Sequence, residues 1–314
     1  MVGIRDVVED LQKDDIAIAV MGATGSGKST FIDLLTSHPS DKNVNAKLKS
    51  TDHMKIELTR VRHSRWGDKI VLVDTPGFDN TAKSDLEILV MISEWLQKTY
   101  KGGIKLAGLI YLYRITDQRM IGSSLNNLNM FGRLCGDIAM KQVTLVSTMW
   151  ENIKPEIGVG REAELKEKYW RPFIDKGSGI ARLETKNSVE AWKIVENVIT
   201  EKEVVEAVLL QEELGNLHCE LNETYAGRAL YRDLQNLLAD KREQLKILRD
   251  QMKWSTDPAL TKEFEKEYKK IRQQFQKTFE EVRKLKIPLG TRVIAFFFRK
   301  RARAVSSYLL SYPA

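Results

Sequence analysis

The segment of residues 22–30 restricts the fold of this 314-residue chain more than any other. It reads Gly-Ala-Thr-Gly-Ser-Gly-Lys-Ser-Thr and fits the pattern G-x-x-x-x-G-K-[ST]. An apolar run at 16–21 precedes it, and the residues at 28–36 are typical of a helix. Backbone N–H groups in such a loop surround phosphate groups, and the N-terminal end of the following helix points at the same anion. The sequence therefore predicts a strand, a phosphate-binding loop (P-loop) and a helix in succession.

The residue types of this loop each predict a contact with a nucleotide. Lys28 is predicted to reach the β- and γ-phosphate oxygens, and the Ser29 hydroxyl is predicted to bind Mg²⁺. A glycine turn with only a structural role is the alternative, and the position between a buried strand and a helix disfavours it. The predicted nucleotide-binding residues of the loop are Gly22, Ala23, Thr24, Gly25, Ser26, Gly27, Lys28, Ser29 and Thr30.

A second candidate segment at 70–77 reads Ile-Val-Leu-Val-Asp-Thr-Pro-Gly. Asp74 follows a buried apolar run, where a carboxylate can hold the Mg²⁺ shell. Gly77 has no side chain, so its amide can approach the γ-phosphate closely. A turn that closes a strand is the alternative for this segment taken alone. Together with the P-loop, it predicts a sensor of the bound nucleotide.

Apolar runs and helical patterns alternate along the first 200 residues, which predicts an α/β domain with three layers and a mostly parallel sheet. The expected strands lie at 16–21, 55–62, 70–73, 106–113 and 143–146, and the expected helices at 28–36, 85–99, 123–135, 162–170 and 192–199. This organisation is that of a P-loop NTPase domain.

The composition changes after about residue 201 to charged helical repeats. Leucines spaced by three and four residues run to Met252, and Asp257 with Pro258 is typical of a helix start. The simplest interpretation is a long, coiled-coil-like helical hairpin whose first arm, if unbroken over roughly 50 residues, would extend about 75 Å. We therefore expect three parts: a nucleotide-binding domain at 1–200, a helical hairpin at 201–286 and a basic aromatic tail at 287–314.

Most of the net charge of +7 lies at this end of the chain, because Lys286 and the tail together hold six bases and no acid. The rest of the chain is nearly neutral, which makes nucleic-acid binding an unlikely main function. An aromatic run precedes the basic cluster, and three interpretations of residues 292–303 stay open: docking on the protein itself, contact with an anionic membrane, or nucleic-acid binding. Two cysteines and no apolar run of spanning length favour a cytoplasmic protein, with a peripheral membrane position as the variant.

The segments at 109–117, 127–131 and 143–150 add a family resemblance to these motifs. Over about residues 14–200 the chain resembles the septin-like branch of P-loop GTPases, which includes immunity-associated GTPases and chloroplast translocon receptors, and it looks closest to fungal G-domain-containing P-loop proteins. The resemblance implies GTP and GDP as ligands, Mg²⁺ as cofactor, and Thr51 as the switch I residue that joins Ser29 and Asp74 around the metal. A solvated loop threonine is the alternative for Thr51.

Two positions depart from the pattern of small GTPases. Phe78 stands where a glutamine orients the attacking water, so hydrolysis should be slow, or should use another residue or a partner. Asp79 and Asn80 are candidate substitutes, or else polar residues of a loop. The segment Thr148-Met149-Trp150-Glu151 stands where the base is read.

In that base-reading segment, Glu151 could accept the guanine N–H groups, and Trp150 could stack on the base or only pack within the protein. Asn187 and Ser188 are the candidates for the last base-reading loop. Guanine and adenine therefore both stay open, although the resemblance favours guanine.

The predicted function is a Mg²⁺-dependent GTP-binding protein with slow or partner-assisted hydrolysis, which acts as a switch or an assembly protein. Lys28, Thr51 and Gly77 are the candidate catalytic residues. An ATP-binding P-loop NTPase and a nucleotide-stabilised scaffold without turnover are the alternatives. The resemblance also implies a homodimer through the nucleotide face, and the helical hairpin is a second candidate surface for subunit contact.

Overall fold

The computed structural model describes residues 11–36, 55–78, 83–104, 106–118, 120, 122–200 and 207–285. The chain divides into two units, Met1–His218 and Cys219–Ala314. Thr51, Asp79, Asn80 and the segment 292–303 lie outside the described residues. Among the described helices, none is long and apolar enough to cross a membrane.

A six-stranded sheet forms the centre of the first unit, with the strand order β2-β3-β1-β4-β5-β6. β2 is antiparallel to β3, and every other pair in the sheet is parallel. The strands are β1 (Ile16–Gly22), β2 (Glu57–His63), β3 (Gly67–Asp74), β4 (Leu106–Arg114), β5 (Val143–Thr148) and β6 (Gly179–Arg182). The predicted α/β fold with a mostly parallel sheet is confirmed.

Helices cover both faces of this sheet, as apolar strands require. They are α1 (Lys28–Thr36), α2 (Asp85–Lys101), α3 (Ser123–Cys135), α4 (Pro155–Glu164), α5 (Arg171–Ile174), α6 (Ser188–Thr200) and α7 (Leu209–Gly215). Phe31 of α1 and Val195 of α6 share one core with Ile18 of β1. The ring centres of Phe131 on α3 and Tyr111 on β4 lie 4.8 Å apart. A short π-helix, Leu165–Tyr169, continues α4.

The helix α7 packs against α2 within the first unit. Gln211 Nε2 donates hydrogen bonds to Thr99 Oγ1 at 3.0 Å and to Ile104 O at 3.3 Å, and Gln97 Nε2 donates to Leu214 O at 3.2 Å. These buried contacts extend the first unit beyond residue 200, where the sequence placed the end of the nucleotide-binding domain. The unit reaches His218.

The second unit contains two long helices, α8 (Tyr225–Trp254) and α9 (Pro258–Leu285). Thr224 Oγ1 accepts a hydrogen bond from Gly227 N at the start of α8, and Asp257 Oδ1 accepts one from Ala259 N at the start of α9. Lys241 Nζ donates to Gln274 Oε1 at 2.8 Å, which joins the two antiparallel arms. The first arm has 30 residues, about 45 Å, which is shorter than the unbroken arm considered above because α7 is a separate helix.

Candidate nucleotide-binding site

The P-loop connects β1 to α1 at the carboxyl edge of the sheet. Its backbone has positive φ angles at Gly22 (141°), Gly25 (77°) and Gly27 (95°), a region that L residues rarely adopt. A Cβ atom on Gly22 would also lie 2.4 Å from Leu112 O on β4. The glycines of the motif therefore allow both the turn and the close approach of the neighbouring strand. Thr24, Gly25 and Thr30 are exposed, whereas Ala23 and Ser26 are buried.

The Lys28 ammonium folds back over the loop. Its Nζ donates hydrogen bonds to Gly22 O at 2.9 Å and to Ala23 O at 3.1 Å. These are neutral acceptors, and an anionic phosphate oxygen is a stronger acceptor for an ammonium group. The side chain is therefore positioned over the loop where it can exchange the carbonyl groups for phosphate oxygens.

The two predicted metal ligands, Ser29 and Asp74, are in contact. Ser29 Oγ donates a hydrogen bond to Asp74 Oδ2 at 3.1 Å, because the parallel register of β1 and β3 places Asp74 beside Val20 at the end of the sheet. A hydroxyl and a carboxylate are oxygen ligands of the kind that Mg²⁺ prefers, so this pair fits the ion. The described residues contain no group of three or more His, Cys, Asp or Glu residues that could hold a metal without a nucleotide.

Residues 75–77 are fixed against the P-loop. Thr75 Oγ1 donates a hydrogen bond to Val20 O at 3.0 Å. A Cβ on the buried Gly77 would lie 2.8 Å from both Gly22 O and Thr24 N, so the backbones of the two motifs are in direct contact. This contact places Gly77 against the P-loop, and only a glycine fits there.

Gly77→Ala should weaken GTP binding by about fivefold or more, because a methyl group forced against backbone atoms costs about 1–3 kcal/mol. Calorimetric titration with GTP and Mg²⁺ measures the effect. Gly160→Ala is the matched control, because Gly160 is exposed on α4 and a Cβ there would meet nothing within 4 Å. Equal affinity of Gly77→Ala and the wild type would contradict the close approach.

Phe78 follows Gly77 and is only 8% exposed. Its backbone N donates a hydrogen bond at 3.0 Å to Oδ1 of Asn127, a buried residue of α3. The side chain at the position of the usual glutamine is thus packed within the protein and cannot orient a water molecule. The sequence placed Asn127 in a segment of family resemblance but gave it no role in the site, because its contact with Phe78 depends on the tertiary fold.

The candidate base-reading residues lie after β5. The Thr148 hydroxyl is buried and lies 2.9 Å from Ser26 O and 3.2 Å from Tyr113 O, so it joins β5 to the P-loop. Trp150 Nε1 donates to Ser147 Oγ at 3.0 Å, and the Arg182 guanidinium lies 4.4 Å from the centre of the Trp150 ring. These contacts support the interpretation of Trp150 as a packing residue.

Glu151 is near the second predicted base-reading loop. Its carboxylate forms an ion pair with Lys186 at 2.6 Å. Partial burial alone would raise the pKa of Glu151, but the hydrogen bond and charge of Lys186 outweigh it and lower that pKa. Asn187 Oδ1 accepts a hydrogen bond from Glu190 N at 2.8 Å, so Asn187 caps α6, whose first residue is Ser188. The structure thus brings Glu151 to the loop of 185–188.

Residues 17–131 match the family model of the 50S ribosome-binding GTPases. This segment contains both the P-loop and Gly77, and it extends from β1 into α3. The first unit has the fold of a P-loop G domain. No curated protein sequence matches the chain.

The G domain is similar to several solved structures. Toc33 from Arabidopsis thaliana in complex with GDP and Mg²⁺ is 15% identical with a TM-score of 0.46, over 62% of this chain and 88% of that chain. The same protein with Mg²⁺ and GMPPNP is 18% identical with a TM-score of 0.46, over 64% and 90%. The G domain of the T. maritima FeoB iron transporter is 16% identical with a TM-score of 0.35, over 59% and 97%.

Proposed function

We propose that the G domain binds GTP and GDP together with Mg²⁺ and acts as a nucleotide-dependent switch or assembly protein. The observation that carries this proposal is the convergence of Lys28, the Ser29–Asp74 pair and Gly77 at one loop. Ordinary packing does not require a lysine over a glycine loop beside a hydroxyl–carboxylate pair. The match of residues 17–131 to a GTPase family supports the same proposal.

Each residue of the site would have its own role in binding the nucleotide. Lys28 would leave the carbonyl groups of Gly22 and Ala23 and bind the phosphate oxygens. Ser29 and Asp74, with Thr51 as the proposed switch I ligand, would hold Mg²⁺, which neutralises charge on the β- and γ-phosphate oxygens when it is bound. The backbone N–H of Gly77 would donate to the γ-phosphate. Because GDP lacks this phosphate, the contacts of residues 77 and 78 would differ between the GTP-bound and the GDP-bound protein.

Guanine specificity is the finer part of the proposal. The Glu151 carboxylate has the lowered pKa of a group that stays ionised at neutral pH, and an ionised carboxylate can accept both guanine N–H groups. To do so it would exchange the Lys186 ammonium for the base. Adenine presents an acceptor and a donor at the corresponding edge, which an ionised carboxylate does not match equally.

The buried Phe78 favours a second candidate, a scaffold that binds nucleotide without turnover. The Phe78 side chain has no polar group to orient water, so hydrolysis in the isolated protein would be slow, or would use another residue such as Asp79 or Asn80, or a partner. We expect the switch to release phosphate from GTP at a rate per site that rises with protein concentration, because pairing across the nucleotide face would complete the site. Phosphate release equal to that of buffer, at every protein concentration, would favour the scaffold.

The remaining parts of the proposal concern partners. The helical hairpin of α8 and α9 would report the nucleotide state or join two subunits, and the nucleotide face is the other proposed surface for a homodimer. We also propose contact of residues 292–303 with an anionic membrane, on the basis of their sequence. Co-sedimentation with anionic vesicles, with and without residues 286–314, tests this contact, and equal sedimentation would contradict it.

A further inference from the structure

A second cation lies beside the P-loop, in addition to Lys28. Arg114 is the last residue of β4, and its backbone is paired with Thr148 of β5 at the edge of the sheet where the P-loop lies. Its Nη1 atom lies close to Gly25, because a Cβ atom added to this glycine would be only 3.1 Å from Nη1. Gly25 is exposed, and the Arg114 side chain is 31% exposed. The guanidinium thus covers the P-loop turn at the border with solvent.

The carboxylate of Asp117 holds the Arg114 side chain in this place. Arg114 Nε lies 3.0 Å from Asp117 Oδ1, and Arg114 Nη2 donates a hydrogen bond to Asp117 Oδ2 at 3.2 Å. The Asp117 backbone N also donates to Arg114 O at 3.2 Å. The carboxylate therefore fixes one side of the guanidinium and leaves the other side, with Nη1, directed at Gly25.

The turn that carries this ion pair is itself fixed at two points. Arg161 of α4 donates hydrogen bonds to Ile115 O at 3.0 Å and to Thr116 O at 2.8 Å. On the other side, Ile115 N donates to Thr148 O at 3.0 Å. A solvated surface arginine does not require such support, because its long side chain can move freely in water. The support instead fixes the backbone of the turn from which Asp117 holds the Arg114 guanidinium.

The donors of Arg114 are only partly used in the described part of the chain, where Nη1 has no hydrogen-bond partner. A guanidinium presents N–H groups in a planar fork that suits phosphate oxygens. Met149, the residue after Thr148, is uncharged. The positive charge beside Gly25 therefore comes from Arg114 at the end of β4.

We propose that Arg114 is a second cation of the phosphate site and that Nη1 binds the phosphate groups of the nucleotide from the side of Gly25. This inference rests on the proposed function, since it adds a residue to the same site. It assigns a specific role to the turn of residues 114–117, which belongs to neither of the predicted phosphate motifs. Asp117 is then a positioning residue, which aligns the guanidinium without touching the nucleotide.

Calorimetric titration with GDP and Mg²⁺ tests the inference on three variants of the full chain. Arg114→Gln should bind GDP about tenfold to a hundredfold more weakly than the wild type, the size of effect expected for one charge close to a phosphate. Arg114→Lys keeps the charge without the fork, so its affinity should lie between the two. Arg62→Gln is the matched control, because Arg62 is 67% exposed at the opposite end of the sheet.

The outcomes separate this inference from the proposed function. If the wild type does not bind GDP, both are overturned. If the wild type binds GDP and Arg114→Gln binds it within twofold of the wild type, only the inference about Arg114 is overturned. A thermal melt without nucleotide shows whether each variant is folded.

A second measurement covers the case in which Arg114→Gln does not fold. It uses the wild-type protein and labels exposed arginines with phenylglyoxal, with and without saturating GDP and Mg²⁺. Mass spectrometry then compares Arg114 with Arg62. We expect GDP to reduce the labelling of Arg114 severalfold and to leave Arg62 unchanged. Equal labelling of Arg114 in both conditions would overturn the inference.

Discussion

Lys28→Ala should reduce the affinity of the G domain for GDP and GTP by at least about thirtyfold, because removing one partner of a charged, hydrogen-bonded pair costs about 2–5 kcal/mol. The Lys28 ammonium lies over the P-loop, 2.9 Å from Gly22 O, and no other described ammonium contacts the loop carbonyls in this way. Calorimetric titration of the variant with GDP and Mg²⁺ measures the loss.

Lys69→Ala is the matched control for Lys28→Ala. Lys69 is 57% exposed and forms a surface ion pair with Asp14 at 2.9 Å, and it lies near the start of β3, whereas the P-loop lies near its end. This control should bind GDP as the wild type does. Nanomolar affinity retained by Lys28→Ala would contradict the P-loop assignment.

Glu162→Ala should lower the free energy of unfolding by about 3 kcal/mol, the usual cost of breaking a buried ion pair on one side. Glu162 is only 2% exposed. It accepts hydrogen bonds from Ser147 Oγ at 3.1 Å, Lys166 Nζ at 2.7 Å and Arg182 Nε at 2.8 Å. Without the carboxylate, these three donors lose a shared acceptor. Urea denaturation followed by circular dichroism measures the change.

Glu164→Ala is the control on the same helix. The Glu164 side chain is 52% exposed and pairs with Lys168 at 3.0 Å on the surface, where an ion pair contributes about 0–1 kcal/mol. Equal destabilisation by the two variants would show that the Glu162 cluster does not stabilise the G domain.

The destabilisation by Glu162→Ala should depend on pH. Burial alone would raise the pKa of Glu162, but hydrogen bonds from Arg182 and Lys166 outweigh it and hold that pKa below its ordinary value. A carboxyl group with a lowered folded-state pKa stabilises the protein above its unfolded pKa of about 4.3, and this contribution is lost as the pH falls through the folded-state pKa. The difference between the wild type and Glu162→Ala should therefore be largest near neutral pH and should shrink below about pH 4.

The motifs that the sequence predicts are those in which neighbouring residues determine the backbone. The P-loop follows from its glycines, and the contact of Ser29 with Asp74 follows because parallel strands end at one edge of the sheet. The departure at Phe78 also follows from its position after Gly77, because a phenyl ring has no polar group to orient water. All three predictions depend on short segments whose order along the chain is known.

Other elements could not be predicted because their evidence is tertiary. β6 has three half-buried residues, an exposed Ile180 and no apolar run, so nothing local indicates a strand. α7 continues the leucine spacing of the later helices, yet it packs on α2. The contact is close, because a Cβ atom added to Gly215 would lie 2.3 Å from the Tyr100 ring. Arg114 and Asn127 act on segments far away in the sequence. The contact of Trp150 with Arg182, 32 residues later, likewise depends on the tertiary fold.

Calorimetric titration of the wild-type chain with GDP, GTP, ADP and ATP, each with Mg²⁺, tests the central claim most directly. We expect one nucleotide per chain and tighter binding of GDP and GTP than of ADP and ATP, because Glu151 can accept the guanine N–H groups. No heat of binding for any of the four nucleotides would contradict the proposed site, and tighter binding of the adenine nucleotides would contradict the assignment of guanine.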